Sequence, residues 1–150
     1  MNWKSLTVEQ KISVARRSLI NKSMVWWGTL ALKLKIVPLT PHMMARIGIQ
    51  TAAVDGIHFF YNPDFINGLS QDDLTYIFAH EVMHIANLHH TRIGLRDPKK
   101  WNIAADFVIN QQLVDAGMKM PANSGIINSR YINAKYKGWS VERVYADLPD

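Results

Sequence analysis

The stretch Ala79-His80-Glu81-Val82-Met83-His84-Ile85 limits what this chain can fold into more than any other. Leu74, Ile77, Phe78, Ile85 and Leu88 surround it with the spacing of an amphipathic helix, which leaves His80, Glu81 and His84 packed inward among apolar neighbours. Polar side chains in such a setting are costly without partners, and a metal ion is a natural way to satisfy them. Residues four apart on a helix stand one turn above each other, so His80 and His84 present imidazole nitrogens to one cation with Glu81 beside them. This HExxH spacing is the core of a zinc hydrolase site. Zinc takes neutral imidazole and keeps one position open for a water whose pKa it lowers towards neutrality. Glu81 is then the base that takes the water's proton. The bland alternative, a chance match on a surface helix, is weighed by the context the rest of the chain supplies.

That context is favourable. Ser70-Gln71-Asp72-Asp73 places a capping serine and two acids at the start of the motif helix, where the helix dipole favours negative charge. Upstream, Thr7-Val8-Glu9-Gln10 has the form of a capping box, and Val8, Ile12, Ala15 and Leu19 follow at helical spacing. The pattern runs on through Met24, Trp27, Ala31 and Leu34, with Gly28 weakening its middle, so an N-terminal helix over about 7–34 is expected to pack on the rest. Pro38 and Pro41 end it, with a short strand over Lys35 to Leu39 before them. The runs Ile49 to Val54 and Ile57 to Tyr61 flank Asp55-Gly56, the dipeptide favoured at the centre of a two-residue hairpin turn, and Asn62-Pro63-Asp64 closes the second run.

The zinc reading still needs a third protein ligand. Asp97-Pro98 is a strong helix start and Gly117 a good stop, giving a helix from Pro98 to about Ala116. Its interior is mostly apolar except for Asn102, Asp106 and Asn110, which are spaced four apart and form one polar stripe. A buried carboxylate needs a cation or several donors, which makes Asp106 the best-placed third ligand; its bland role is to hydrogen-bond a neighbouring element. His90 is a rival, six residues after His84 as in the pattern HExxHxxGxxH, with Asn87 where that pattern has its turning glycine. Leu88 fits a helix that continues past Asn87, and such a helix carries His90 about 240° around the axis from His84, away from the metal. Asp106 is therefore preferred. An oxyanion stabiliser is not fixed by pattern; His58, Tyr131 and Tyr136 are candidates. Met118 to Gly138 shows no periodicity and reads as cleft wall or connection. Ser140 caps a last short helix through Leu148.

The order Asp55-Gly56, Tyr61-Asn62-Pro63, His80-Glu81-Val82-Met83-His84, Arg96-Asp97 and Trp101 to Asn110 resembles the metallopeptidase domain family that in bacteria and phages often precedes a von Willebrand factor A-like domain. The likeness covers roughly Leu34 to Leu148, and the two helices carrying the histidines and Asp106 are its specific part. It implies a zincin-like α+β fold: a small mixed β-sheet with a β-hairpin packed on the HExxH helix, and a second helix supplying an acidic ligand. No von Willebrand-type domain is expected after the Ser140 helix.

Composition narrows the remaining choices. A length of 150 residues suits one domain, and no boundary or repeat breaks it. Cysteine is absent, which excludes disulfides and thiolate metal sites. The start has no apolar run of signal-peptide length, and Met24 to Leu39 is too short and too interrupted by Lys33 and Lys35 to span a bilayer, so a cytoplasmic protein without membrane attachment is expected. The formal charge of +5 is scattered, with only Arg16-Arg17 and Lys99-Lys100 adjacent, which favours a solvated basic surface over a nucleic-acid face. The leading expectation is a zinc-dependent peptidase in which His80, His84 and Asp106 hold Zn2+ and Glu81 serves a peptide or protein substrate. Its rivals are a non-catalytic, metal-stabilised protein-binding module and a nucleic-acid binder. Oligomeric state is left open.

Overall fold

The protein is described from a computed structural model, covering residues 2–21, 30–87, 89–122 and 126–150. Helix α1, Val8–Asn21, begins as its sequence dictates. Gln10 N–H donates to Thr7 Oγ1 at 3.1 Å while Thr7 N–H donates to Gln10 Oε1 at 2.9 Å, so two first-turn donors are satisfied reciprocally. Ile12, Ala15 and Leu19 form its buried stripe. The expected continuation through Met24, Trp27 and Gly28 lies outside the described residues, and a helical turn over 30–33 leads into strand β1, Lys35–Pro38.

Two helices follow where the sequence was expected only to stop. Thr40 Oγ1 accepts from Met43 N–H at 3.2 Å and Pro41 occupies the first turn of α2, Pro41–Ile47. Proline there loses no hydrogen bond, because that N–H has no partner within a helix. The same logic makes Asn62 the cap of α3, Pro63–Asn67, immediately after strand β3. Both prolines start helices.

The hairpin is present with its turn displaced by one residue. Strands β2, Ala52–Val54, and β3, His58–Tyr61, pair antiparallel with Val54 opposite Phe59 and Ala52 opposite Tyr61. The loop closes at Asp55 and His58, whose N–H and C=O are 3.4 Å apart, so Gly56-Ile57 is the central pair in place of Asp55-Gly56. The carboxylate of Asp55 decides this: its Oδ1 accepts the N–H groups of Ile57 at 2.9 Å and His58 at 2.7 Å, which fixes Asp55 at the corner, and Gly56 takes the positive φ of 97°. Strand β1 adds in parallel on the other side of β3, with Ile36 opposite Phe59, giving a three-stranded mixed sheet in the order β1-β3-β2. Phe59 and Tyr61 point to the buried face, in keeping with the two-residue period of a strand.

Helix α4, Gln71–Ala86, fills that face, and α1 packs against it. Ser70 Oγ accepts from Asp73 N–H at 3.1 Å, and every residue from Leu74 to His80 is buried. Phe78 stacks on Phe59 with centroids 4.3 Å apart. Helix α4 ends at Ala86, short of the continuation past Asn87 that was expected. Asn87 has φ −90° and its Nδ2 donates to Met83 C=O at 2.8 Å, closing the helix with its own side chain; α5, His89–Arg92, is a separate turn.

Helix α6, Pro98–Asp115, lies beside α4. Asp97 Oδ2 caps it through Lys100 N–H at 2.8 Å, and Gly117 after its end has φ 93°. Ile109 and Leu113 belong to the core under the sheet, whereas Trp101, Ala104, Ala105 and Val108 belong to a second core closed by Tyr136, Val141 and Val144. Helix α7, Val141–Asp147, completes that second core, capped by Ser140 Oγ on Arg143 N–H at 3.2 Å. Enclosure on two sides explains why α6 is apolar around most of its circumference. Among the described residues no helix is long and apolar enough to cross a membrane.

Candidate metal centre

The polar side chains of α4 and α6 meet where the two helices face each other. His80 Nε2 lies 3.0 Å from Asp106 Oδ1, His84 Nε2 lies 3.1 Å from the same oxygen, and the two nitrogens are 3.2 Å apart. Three ligand-type atoms thus form a nearly equilateral triangle. A tetrahedral ion bound at 2.0–2.1 Å spreads its ligand atoms by roughly 3.3–3.4 Å. With an outward shift of a few tenths of an ångström the three atoms would fit the ligand spacing of such an ion. His80, His84 and Asp106 are, among the described residues, the group of histidines and acids that could hold a metal ion.

Burial grades across the group. His80 is 3% exposed, while His84 and Asp106 are half-buried at the base of a cleft of about 490 Å³. Ala52, Ala53 and Val54 of β2 and Asn102 of α6 line the cleft, as do Glu81 and Ile85 on the helix of the histidines. Strand β2 is the edge of the sheet, so its outer N–H and C=O groups have no partner strand among the described residues. Glu81 receives no hydrogen bond from the described protein. Neither does Asn102, which is exposed one turn before Asp106.

The electrostatics follow from the convergence. Burial alone would push the Asp106 carboxyl up, yet hydrogen bonds from His80 and His84, followed by their charge, bring it down from 3.8 to about 2. Burial alone would lower His80; the Asp106 hydrogen bond and the nearby Glu81 and Asp106 carboxylates shift it upward instead. These two shifts describe one ion pair and count once. The folded value of Asp106 lies below its unfolded value, so its contribution to stability is present above about pH 4 and is lost as the pH falls through about 2. In metal-free protein Asp106→Asn is therefore expected to flatten the acid limb of unfolding followed by tryptophan fluorescence. An acid limb as steep as in wild type would mean that the pair contributes nothing.

Three positions considered for oxyanion stabilisation are occupied elsewhere. His58 Nδ1 is 2.9 Å from Asp55 Oδ2 and its ring stacks on Phe60; the Tyr131 ring packs on Phe107; Tyr136 O–H donates to Asp147 Oδ2 at 2.8 Å. None of the three lines the cleft. The His90 side chain lies outside the described residues. Two residues that sequence analysis placed only on a polar stripe turn out to flank the centre: Asn102 on the cleft wall, and Asn110 with its Oδ1 3.1 Å from His80 Nδ1. Their four-residue spacing from Asp106 was the available signal.

A three-stranded mixed sheet, several helices and a His-His-Asp group able to hold a metal ion define the class as an α+β domain with a candidate metal centre. Residues 7–150 match the family described as "Putative metallopeptidase domain", and the chain belongs to that family. No curated protein and no solved structure matches the chain.

Proposed function

We propose that this protein is a zinc-dependent peptidase of zincin type. The observation that carries the reading is the convergence of His80 Nε2, His84 Nε2 and Asp106 Oδ1 to within 3.0–3.2 Å of one another at the base of an open cleft, with Glu81 beside them. Two imidazoles and one carboxylate are the donor set of catalytic zinc, three protein ligands with a fourth position left open. Zinc, when bound, supplies Lewis acidity towards a carbonyl oxygen and makes a water more acidic.

The protein residues do the rest. Glu81, with no internal hydrogen bond to break, accepts a proton from the attacking water and returns it to the leaving nitrogen. The hydroxyl adds to the carbonyl carbon, the C–N bond breaks, and the products are a carboxylic acid and an amine. The free edge of β2 favours an extended peptide as substrate, since main-chain hydrogen bonds along that edge would lay the chain across the metal group. Asn102 faces the same space with an unused amide and is the group best placed to donate to the substrate's carbonyl oxygen. Asn102→Ala is expected to lower kcat by about 100-fold with zinc content intact, the scale of losing one oxyanion donor; an unchanged kcat removes Asn102 from the reaction.

The reading itself is tested by incubating the zinc-loaded chain with an unbiased peptide library and identifying new termini by mass spectrometry. Cleavage is expected, abolished by a chelator and restored by zinc. Bound zinc with no cleaved peptide would favour a metal-stabilised binding module instead.

A further inference from the structure

We infer that Asn110 is the positioning residue that holds His80 in the tautomer protonated at Nδ1, and that through the same amide the metal centre is tied to the segment carrying Tyr131. This rests on the assignment of His80, His84 and Asp106 as ligands. Asn110 is 0% exposed and stands one helical turn beyond Asp106 on α6. Its side chain makes three polar contacts: Nδ2 to the Tyr131 carbonyl at 2.9 Å, Oδ1 to Tyr76 Oη at 2.7 Å, and Oδ1 to His80 Nδ1 at 3.1 Å.

The orientation of the amide follows from the one partner whose role is fixed. A carbonyl oxygen only accepts, so the group facing Tyr131 C=O is the NH₂, and Oδ1 faces the other way. An amide oxygen also only accepts. Tyr76 must then donate its hydroxyl proton, and His80 must carry a proton on Nδ1. The Nε2 atom, 3.0 Å from Asp106 and 3.2 Å from His84, shares its proton with Asp106 in the metal-free ion pair; with Nδ1–H held by Asn110, it is this proton that a metal would replace, leaving the Nε2 lone pair as the ligand. A flipped amide would set its oxygen against the Tyr131 carbonyl and its NH₂ towards His80, favouring the opposite tautomer, whose Nε2–H cannot bind a metal. One partly buried contact from Tyr131, 21 residues further along the chain, therefore reaches the ligand atom through a single side chain. Hydrogen-bond partners of metal-binding histidines act in this way generally, fixing ring orientation and tautomer.

The test uses the full chain and Zn2+ alone, titrated against a chromophoric chelator. Asn110→Ala is expected to weaken zinc binding by about 10–100-fold. Tyr76→Phe removes a buried hydrogen bond to the same oxygen without touching His80, and is expected to bind zinc as wild type does. Equal losses in the two variants would reduce Asn110 to a packing residue, and undiminished affinity in Asn110→Ala would overturn the inference outright. Should Asn110→Ala fail to fold, 15N spectra of histidine-labelled, zinc-loaded wild type decide, with His80 assigned by comparison with His80→Gln. A protonated Nδ1 and a zinc-bound Nε2 support the inference, and zinc on Nδ1 refutes it. Wild type that binds no zinc through these side chains would remove the metal centre itself. Tight zinc binding in Asn110→Ala would remove only the role of Asn110.

Discussion

Glu81→Gln is expected to slow peptide hydrolysis by about 10²–10⁴-fold while leaving zinc bound at wild-type stoichiometry. The amide has nearly the shape of the carboxylate, and Glu81 receives no hydrogen bond from the described protein, so the fold and the three ligand atoms lose nothing. On the proposed mechanism, what disappears is the proton acceptor. Positioned general bases contribute typically 10²–10⁴-fold, and a loss of about that size is expected in kcat with little change in KM. A glutamine variant that cleaves at the wild-type rate would remove Glu81 from the mechanism.

Asp106→Ala should have the complementary effect, on the metal before the chemistry. The carboxylate is the point at which α6 meets both imidazoles of α4, and no other acid of the described protein joins this group. Loss of an outer partner of a ligand costs 10–100-fold in metal affinity, and loss of the ligand itself is expected to exceed about 100-fold. Elemental analysis of protein purified without added metal, beside a zinc titration, measures this directly. Unchanged stoichiometry and affinity would exclude Asp106 and bring His90 back as third ligand. Asp106→Ala is expected to retain the fold, since the side chain is a quarter exposed and belongs to neither hydrophobic cluster.

Much of the architecture was legible because it is local. The caps at Thr7, Ser70, Asp97 and Ser140 each satisfy first-turn N–H groups within three residues, and the four helices they start fall where those residues place them. Elsewhere two local signals compete at one position, and the structure shows which of them wins. Pro41 and Pro63 read as terminators, but each follows a residue able to cap, so each opens a helix. Asp55-Gly56 read as a turn centre until the Asp55 carboxylate captured two backbone N–H groups. Asn87 read as passable within a helix, yet its amide closes the helix on Met83.

The sequence by itself determined that His80 and His84 share a face, because four residues of helix put them one turn apart whatever surrounds them. It also determined that Asn102, Asp106 and Asn110 share another. Which member of that stripe meets the imidazoles, which faces the cleft and which is sealed behind His80 was decided only by where α4 crosses α6. Spacing within a helix is set by its own backbone hydrogen bonds; the distance between α4 and α6 is set by the core they share, in which Ile109 and Leu113 of α6 join Tyr76, Ile77 and Met83 of α4 and the Tyr76 hydroxyl meets Asn110, contacts between residues far apart in the chain.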